Sequence, residues 1–157
     1  MNASFRLRPA LAQDAAVIRR LVLGAQLNPF GLYWPRFVVA EDQQGQVIGC
    51  AQVKLHGDVS ELASLVIEAE WRSRGVARAL IEHWLAASDP AGGLYLMCRS
   101  GLGPFYQRFG FVALRPAQMP AYFRRIHTLF QGLKRLAFSR ENLLVMHRPR
   151  PEPFEVQ

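Results

Sequence analysis

The sequence predicts an α/β protein whose central sheet is mixed, mostly antiparallel and twisted, with about six to seven strands and helices on both faces. Short strand-like segments occur between helical apolar stripes, and three strand segments follow one another without an intervening helix. Strands joined directly pair antiparallel, whereas a strand, a helix and a strand in succession need a crossover connection. The combination favours a mixed sheet over an all-parallel one.

A chain of 157 residues has the usual length of one domain and can bury a single substantial core. Half of its residues are apolar and a fifth are charged, a composition that is ordinary for a globular protein and argues against a disordered one. No apolar run approaches the roughly 18 residues of a membrane span, and the first residues carry no apolar signal-peptide region. We therefore expect a cytoplasmic protein that does not bind membranes.

The first elements are a strand, a helix and a loop. Residues 5–8 alternate apolar and polar side chains up to Pro9, and residues 11–25 carry one helical apolar stripe. That stripe consists of Leu11, Ala15, Ile18, Val22 and Ala25. Residues 28–35 form an aromatic loop that proline and glycine exclude from regular structure.

Three strands come next. Residues 37–41 and 47–55 predict a hairpin around the turn at residues 42–46. Residues 61–67 predict the strand that follows. Cys50 lies in this apolar region without a partner at metal-ligand spacing, and so does Cys98 further on. We expect two buried reduced thiols, no disulfide framework and no metal site.

The second half begins with a helix after Gly75, which should end near residues 88–90. Its apolar stripe consists of Val76, Leu80, Trp84 and Ala87. The mostly apolar residues 94–98 predict a strand inside the sheet, and residues 103–108 predict a short helix.

The last elements are a strand over residues 111–114, a long helix over 120–136 and a strand over 143–147. The apolar stripe of the long helix consists of Tyr122, Ile126, Leu129, Phe130 and Leu133. Residues 149–157, rich in proline and glutamate, predict a frayed tail.

The loop between the strand at 61–67 and the next helix is suited to an anion. A helix N-terminus offers unpaired N–H groups and the positive end of the helix dipole. Gly75 lets the backbone approach a ligand closely, and Arg72, Arg74 and Arg78 add positive charge. Because positive side chains oppose the dipole at this end, their presence favours a bound anion such as pyrophosphate over an ordinary helix start.

The order of elements and two motifs resemble the superfamily of GCN5-related N-acetyltransferases (GNAT). Residues 72–77, Arg-Ser-Arg-Gly-Val-Ala, match the family's acetyl-CoA signature Gln/Arg-x-x-Gly-x-Gly/Ala, and residues 65–67 precede it at the usual distance. Residues 105–111 look like the family's late Tyr-x-x-x-Gly-Phe element. The chain departs from common family residues at two places, with Ala69 in place of proline and Arg99 in place of asparagine.

The resemblance implies one GNAT domain over residues 1–148, with a helical insertion at 115–142 and a tail at 149–157. It implies a sheet that splays between the fourth and fifth strands. It also implies an N-acetyltransferase, an acyltransferase acting on amino groups, in which a primary amine attacks the thioester of acetyl-CoA directly. Acetyl-CoA is then an acyl-donor substrate, and no metal is required.

The resemblance also assigns the donor site. The pyrophosphate would be held by Arg72, Ser73, Arg74, Gly75, Val76, Ala77 and Arg78, and the pantetheine arm by the strand residues Leu65, Val66 and Ile67. An amide at or near Ile67 would stabilise the tetrahedral oxyanion. Tyr106 stands where the family places a general acid for the departing thiolate; packing of Tyr106 between strands is the alternative.

The general base and the acceptor site are less clearly marked. Some relatives use a glutamate at the position of Ala63, so we expect Glu61, two residues earlier on the same strand face, to act directly or through water. His56 is a second candidate, and a solvated carboxylate at Glu61 is the structural alternative. Tyr33 and Trp34 either shape the acceptor pocket or cap the core.

The sequence also permits other classes of function. The net charge of +7 permits nucleic-acid binding, but the dispersed basic residues and the absence of known motifs disfavour it. The basic residues of the long helix, Arg124, Arg125, Lys134 and Arg135, form either a solvated face or a surface for an acidic acceptor or partner. A non-catalytic acyl-CoA sensor or scaffold, a longer acyl donor and a homodimer all stay open.

Overall fold

The computed structural model describes residues 4–87, 92–137 and 141–150. The strands are β1 (Phe5–Pro9), β2 (Phe37–Asp42), β3 (Val47–His56), β4 (Val59–Ile67), β5 (Leu94–Arg99), β6 (Val112–Ala113) and β7 (Leu143–Arg148). The helices are α1 (Ala15–Gly24), α2 (Val76–Ala87), α3 (Gly103–Gln107) and α4 (Ala121–Ala137). The predicted helix end at residues 88–90 and residues 151–157 of the predicted tail lie outside the described residues.

The strands form one seven-stranded sheet in the order β1-β2-β3-β4-β5-β7-β6. The sheet is mostly antiparallel, with a parallel pair at β4 and β5, and helices flank it. This architecture confirms the predicted fold class. No helix within the described ranges combines the length and the apolar character that crossing a membrane requires.

The described residues divide into two units. The first comprises residues 4–54 and 62–87, and the second comprises residues 55–61, 92–137 and 141–150. The sequence-based assignment of one domain over residues 1–148 stays a prediction.

The core of the first unit lies between α1 and the strands. Ile18, Leu21 and Val22 of α1 share it with side chains of β2, β3 and β4. The predicted stripe is wrong at its start, because Leu11 and Ala15 are exposed. The Asp14 carboxylate accepts the Leu11 backbone N–H at 2.7 Å, so the chain makes a separate 3-10 turn before α1 begins.

The β2–β3 hairpin forms as predicted. Asp42 accepts hydrogen bonds from the backbone N–H groups of Gln44 and Gln46, and Gly45 adopts φ +80° in the turn. In α2, Val76 and Leu80 are buried as expected, but the sequence-based stripe missed Ile81 and included the exposed Ala87.

In the second unit, β7 pairs antiparallel with β5 and with β6. The predicted strand at 111–114 shortens to the two residues of β6. Met119, Phe123 and Val145 form a buried core beneath the first turn of α4.

The apolar stripe predicted for α4 is wrong in its second half. Phe123, which the stripe omitted, is 0 % exposed, whereas Leu129 is 65 % exposed and Leu133 is also exposed. The core that α4 covers lies at its first turn, so apolar residues further along the helix are not covered by it. Periodicity identifies an amphipathic helix but not how much of its apolar face finds a partner.

We predict that Phe123→Ala lowers the free energy of unfolding by about 3–5 kcal/mol, because it removes a fully buried ring and leaves a cavity. Leu129→Ala on the same helix is the matched control and should change stability by less than about 0.5 kcal/mol. Urea unfolding followed by circular dichroism measures both. Equal losses for the two variants would contradict this description of α4.

Candidate active site

The loop after β4 is shaped by two left-handed residues. A 3-10 turn at Ala69–Trp71 follows the strand, and Ser73 (φ +61°) and Gly75 (φ +84°) then bring the chain to the start of α2. The first backbone hydrogen bond of the helix runs from the Ala79 N–H to the Gly75 carbonyl oxygen at 3.0 Å. The N–H groups of the first turn have no partner within the helix and are available to an anion.

The arginines of this loop have different surroundings. Arg72 is exposed, and its Nε donates to the Ile67 carbonyl oxygen at a long 3.4 Å. Arg74 stacks its guanidinium on the Trp71 ring, 5.3 Å from the centroid. Arg78 lies 3.6 Å from Glu82 one turn along α2. Arg72 and Arg74 thus line the loop with positive charge on its solvent side.

The strand residues before the loop pack tightly against β3. Val66 is buried in the core of the first unit, and Leu65 and Ile67 are half-buried. A Cβ added to Gly49 of β3 would lie 2.8 Å from Ile67 Cδ1 and 3.1 Å from the Val66 carbonyl oxygen. Sequence reasoning did not single out Gly49, although a glycine inside a strand is a signal of close backbone approach.

The two candidates for the general base form one pair in the second unit. His56 Nε2 lies 2.6 Å from Glu61 Oε2, and Glu61 is 5 % exposed, so the alternative of a solvated carboxylate is wrong. The Tyr122 ring stacks on the His56 ring with 3.6 Å between centroids and 16° between planes. The pair is therefore shielded from solvent and held in a fixed orientation.

Tyr106 of α3 is buried among aromatic rings. Its ring meets Phe105 edge-on at 5.1 Å and Phe111 at 6.2 Å. Burial raises the pKa of Tyr106 above its usual value of 10.0, with a smaller contribution from Cys98. The hydroxyl keeps its proton at neutral pH and can donate a hydrogen bond, but complete transfer of that proton to a thiolate is unfavourable.

The two residues expected at an acceptor pocket, Tyr33 and Trp34, have different surroundings. Trp34 packs against the core of the first unit, and Tyr33 is exposed with the Arg36 guanidinium 5.4 Å from its ring centroid. Sequence reasoning missed two polar residues of β3, Gln52 and Lys54. Both are buried against the loop that precedes Tyr33 and Trp34. Their signal was two polar side chains at alternate positions of an otherwise apolar strand.

The basic residues of α4 are partly engaged. Arg124 donates to the Met119 carbonyl oxygen at 2.9 Å, and Lys134 bonds the Asn142 side chain. The Arg135 side chain lies outside what the structure describes. Arg99, which replaces a common family asparagine, is exposed and lies 3.5 Å from Glu141.

Neither cysteine is suited to carry an acyl group, and both are buried as predicted. Burial raises the pKa of Cys50 to about 12 and that of Cys98 to about 11, from an ordinary 9.0. The thiolate is the nucleophilic form, so neither side chain is reactive at neutral pH. In the part of the chain that the structure describes, no three His, Cys, Asp or Glu side chains gather in a way that could hold a metal ion.

The chain thus combines a mixed, mostly antiparallel sheet with a basic, left-handed loop before α2 and an aromatic short helix, α3. A family model described as an acetyltransferase (GNAT) domain matches residues 34–113. The chain therefore belongs to the GNAT family of acetyltransferases.

Solved structures agree on the fold. The N-acetylglutamate synthase of Neisseria gonorrhoeae, complexed with coenzyme A and N-acetyl-glutamate, superposes with TM-score 0.71 and 20% identity over 96% of this chain and 36% of that one. The Escherichia coli ribosomal-protein-S18-alanine N-acetyltransferase gives TM-score 0.67 and 16% identity over 98% of this chain and 99% of that one. Ard1 from Thermoplasma volcanium gives TM-score 0.67 and 16% identity, over 94% and 99%. The chain spans about a third of the length of the synthase.

The buried thiols predict a stability loss in alkali. Above pH 9.0 the unfolded Cys50 thiol loses its proton, whereas the folded thiol keeps it until about pH 12. Unfolding then releases a proton, so this residue lowers the free energy of unfolding by at most about 1.4 kcal/mol per pH unit in that window.

We expect Cys50→Ala to be less stable than the unmodified protein at pH 7 but to lose less stability as the pH rises above 9.0. Urea unfolding at a series of pH values, with Cys98 unchanged in both proteins, measures the difference in slope. Parallel pH profiles would show that Cys50 ionises equally in the folded and unfolded chains.

Proposed function

We propose that this chain is an acetyl-CoA-dependent N-acetyltransferase that transfers an acetyl group to a primary amine by direct attack on the thioester. The observation that carries the proposal is the loop before α2, where Ser73 and Gly75 adopt left-handed backbone conformations in a chain of the GNAT family. Residues 72–78 bind the pyrophosphate of acetyl-CoA, and residues 65–67 bind its pantetheine arm.

The loop suits a pyrophosphate for electrostatic reasons. Backbone N–H groups and the dipole of α2 favour negative charge at the helix start, and Arg72 and Arg74 supply formal positive charge beside it. The stacking of Arg74 on Trp71 holds one guanidinium near the loop. The free energy of phosphate binding offsets the repulsion between these arginines and the helix dipole.

The transfer needs one proton acceptor. The amine is protonated at neutral pH and first loses one proton to this acceptor. Its nitrogen then attacks the thioester carbonyl carbon, the tetrahedral intermediate expels coenzyme A as a thiolate, and the second proton of the nitrogen passes to water. Glu61 and His56 act as one proton-accepting unit, because a carboxylate 2.6 Å from the ring stabilises the imidazolium that forms. Tyr122 positions the ring.

Two further groups stabilise charge during the reaction. A backbone N–H at or near Ile67 donates to the oxyanion of the tetrahedral intermediate. Tyr106 donates a hydrogen bond to the departing thiolate, which is a good leaving group and needs only modest assistance. Direct attack is favoured over an acyl-enzyme because both cysteines are buried and protonated.

A turnover assay over amine classes tests the proposal. Acetyl-CoA is offered with peptides bearing a free amino terminus, lysine peptides, polyamines, amino acids and aminoglycosides, and the N-acetyl product is identified by mass spectrometry. Acetylation of at least one class supports the proposal. Binding of acetyl-CoA without transfer to any class would instead identify a non-catalytic acyl-CoA sensor or scaffold.

We expect Gly75→Ala to weaken acetyl-CoA binding about tenfold or more, because an L side chain at φ +84° strains the loop that holds the pyrophosphate. Gly45→Ala is the matched control: its φ is +80°, and an added Cβ meets nothing within 4 Å at either site. Both variants should lose similar stability, and only Gly75→Ala should lose affinity in calorimetric titrations. Equal acetyl-CoA affinities in the two variants would show that the loop is not part of the donor site.

We expect Glu61→Gln and His56→Gln each to lower kcat by about a hundredfold or more without changing acetyl-CoA affinity. Because the two groups act as one unit, the double variant should be no slower than the slower single variant. Asp58→Asn, in the turn between them, removes an exposed carboxylate and serves as control. Full activity in both single variants, or losses that multiply in the double variant, would contradict the paired role.

A further inference from the structure

Lys54 of β3 is a buried cation with little to neutralise it. The residue is only 9 % exposed, and its Nζ donates to the Phe30 carbonyl oxygen at 3.0 Å. An ammonium group has three N–H donors, and among the described residues no carboxylate forms an ion pair with it. Any neutral donor could make this hydrogen bond to Phe30, in the loop before β2. Holding the loop in place therefore does not require a charged side chain.

Gln52, two residues earlier on the strand, is oriented by the same loop. Its Nε2 donates to the Gly31 carbonyl oxygen at 3.3 Å and to Ser64 Oγ at 2.9 Å. A carbonyl can only accept, so the nitrogen must face Gly31 and the amide oxygen must point away from it. That oxygen, Oε1, is buried in a residue 0 % exposed and has no hydrogen-bond partner among the described residues.

Both groups lower the free energy of unfolding when no partner completes them. A buried carbonyl without a donor costs about 1–3 kcal/mol, and an uncompensated buried charge costs several kcal/mol. Side chains two residues apart on a strand lie on the same face, and both of these reach carbonyls of adjacent loop residues. Gln52 thus fixes the loop that Lys54 also contacts, and Lys54 is the one of the two that keeps some exposure and lacks a counter-charge among the described residues.

We propose that Lys54 binds the acceptor, and that the acceptor is an amine that also carries a carboxylate. The Lys54 ammonium pairs with the carboxylate, while Gln52 holds the neighbouring loop carbonyl of Gly31 in place. Free amino acids and peptides with an acidic residue share this chemistry. The inference rests on the proposed acetyltransferase function, which leaves the class of amine open.

Matched pairs of amines test the proposal without any substitution in the protein. L-glutamate is compared with L-glutamine and with glutamate α-amide, and a peptide that begins with glutamate is compared with the same peptide beginning with glutamine. Loss of one carboxylate should lower kcat/KM by about ten- to a hundredfold, the range expected for one charged hydrogen bond. The pair that responds identifies which carboxylate is bound, and whether the molecule is free or peptide-borne.

Substitution of the lysine provides the second arm. Lys54→Gln should raise KM for the preferred carboxylate acceptor about tenfold or more, remove the preference over its amide, and leave KM for acetyl-CoA unchanged. Lys134→Gln, which replaces the only other lysine of the chain, should change none of these values. Thermal melting of both variants checks that they fold.

Equal kcat/KM values for acids and their amides in the unmodified protein would overturn the proposal, as would an undiminished preference in a folded Lys54→Gln variant. Calorimetric binding of L-glutamate in the presence of coenzyme A separates this result from failure of the proposed function. Lys54-dependent binding without acetyl transfer would refute the enzyme but retain the carboxylate site. Transfer to amines without any preference for a carboxylate would refute the carboxylate site but retain the enzyme.

Discussion

The left-handed backbone of Ser64 is the constraint on which β4 and the polar cluster beside it depend. A non-glycine residue at φ +56° inside a strand costs about 1–3 kcal/mol and interrupts the alternation of side chains. The first unit holds it through two contacts: Gln52 donates to its hydroxyl, and the Cys50 thiol contacts its carbonyl oxygen at 3.7 Å. Because Gln52 uses its amide nitrogen for this bond, its amide oxygen is left without a hydrogen-bond partner among the described residues.

Both units bury polar groups that packing alone would not select. Glu61 in the second unit and Lys54 in the first are each more than nine-tenths buried, and apolar residues of similar volume at such positions are often as stable or more so. Glu61 has a partner in His56, whereas Lys54 has only a backbone carbonyl. We interpret the first as a proton-accepting pair and the second as half of an ion pair that an acceptor completes.

Local signals explain what the sequence predicts well and where it fails. The β2–β3 hairpin and the loop at Gly75 depend on turn residues and a glycine, which act within a few residues. The stripe of α4 fails at Leu129 because burial depends on what the rest of the chain places beside the helix. The pairing of His56 with Glu61 and the burial of Lys54 likewise depend on side-chain packing, which one sequence does not reveal.

Direct passage of the acetyl group from thioester to amine is the step on which these assignments depend. Initial velocities with the concentrations of acetyl-CoA and of an acceptor amine varied together test it most directly. Intersecting double-reciprocal lines are expected, because both reactants must be bound before transfer and the buried Cys50 and Cys98 thiols offer no acyl carrier. Parallel lines would contradict direct attack, because they arise when coenzyme A leaves an acyl-enzyme before the amine binds.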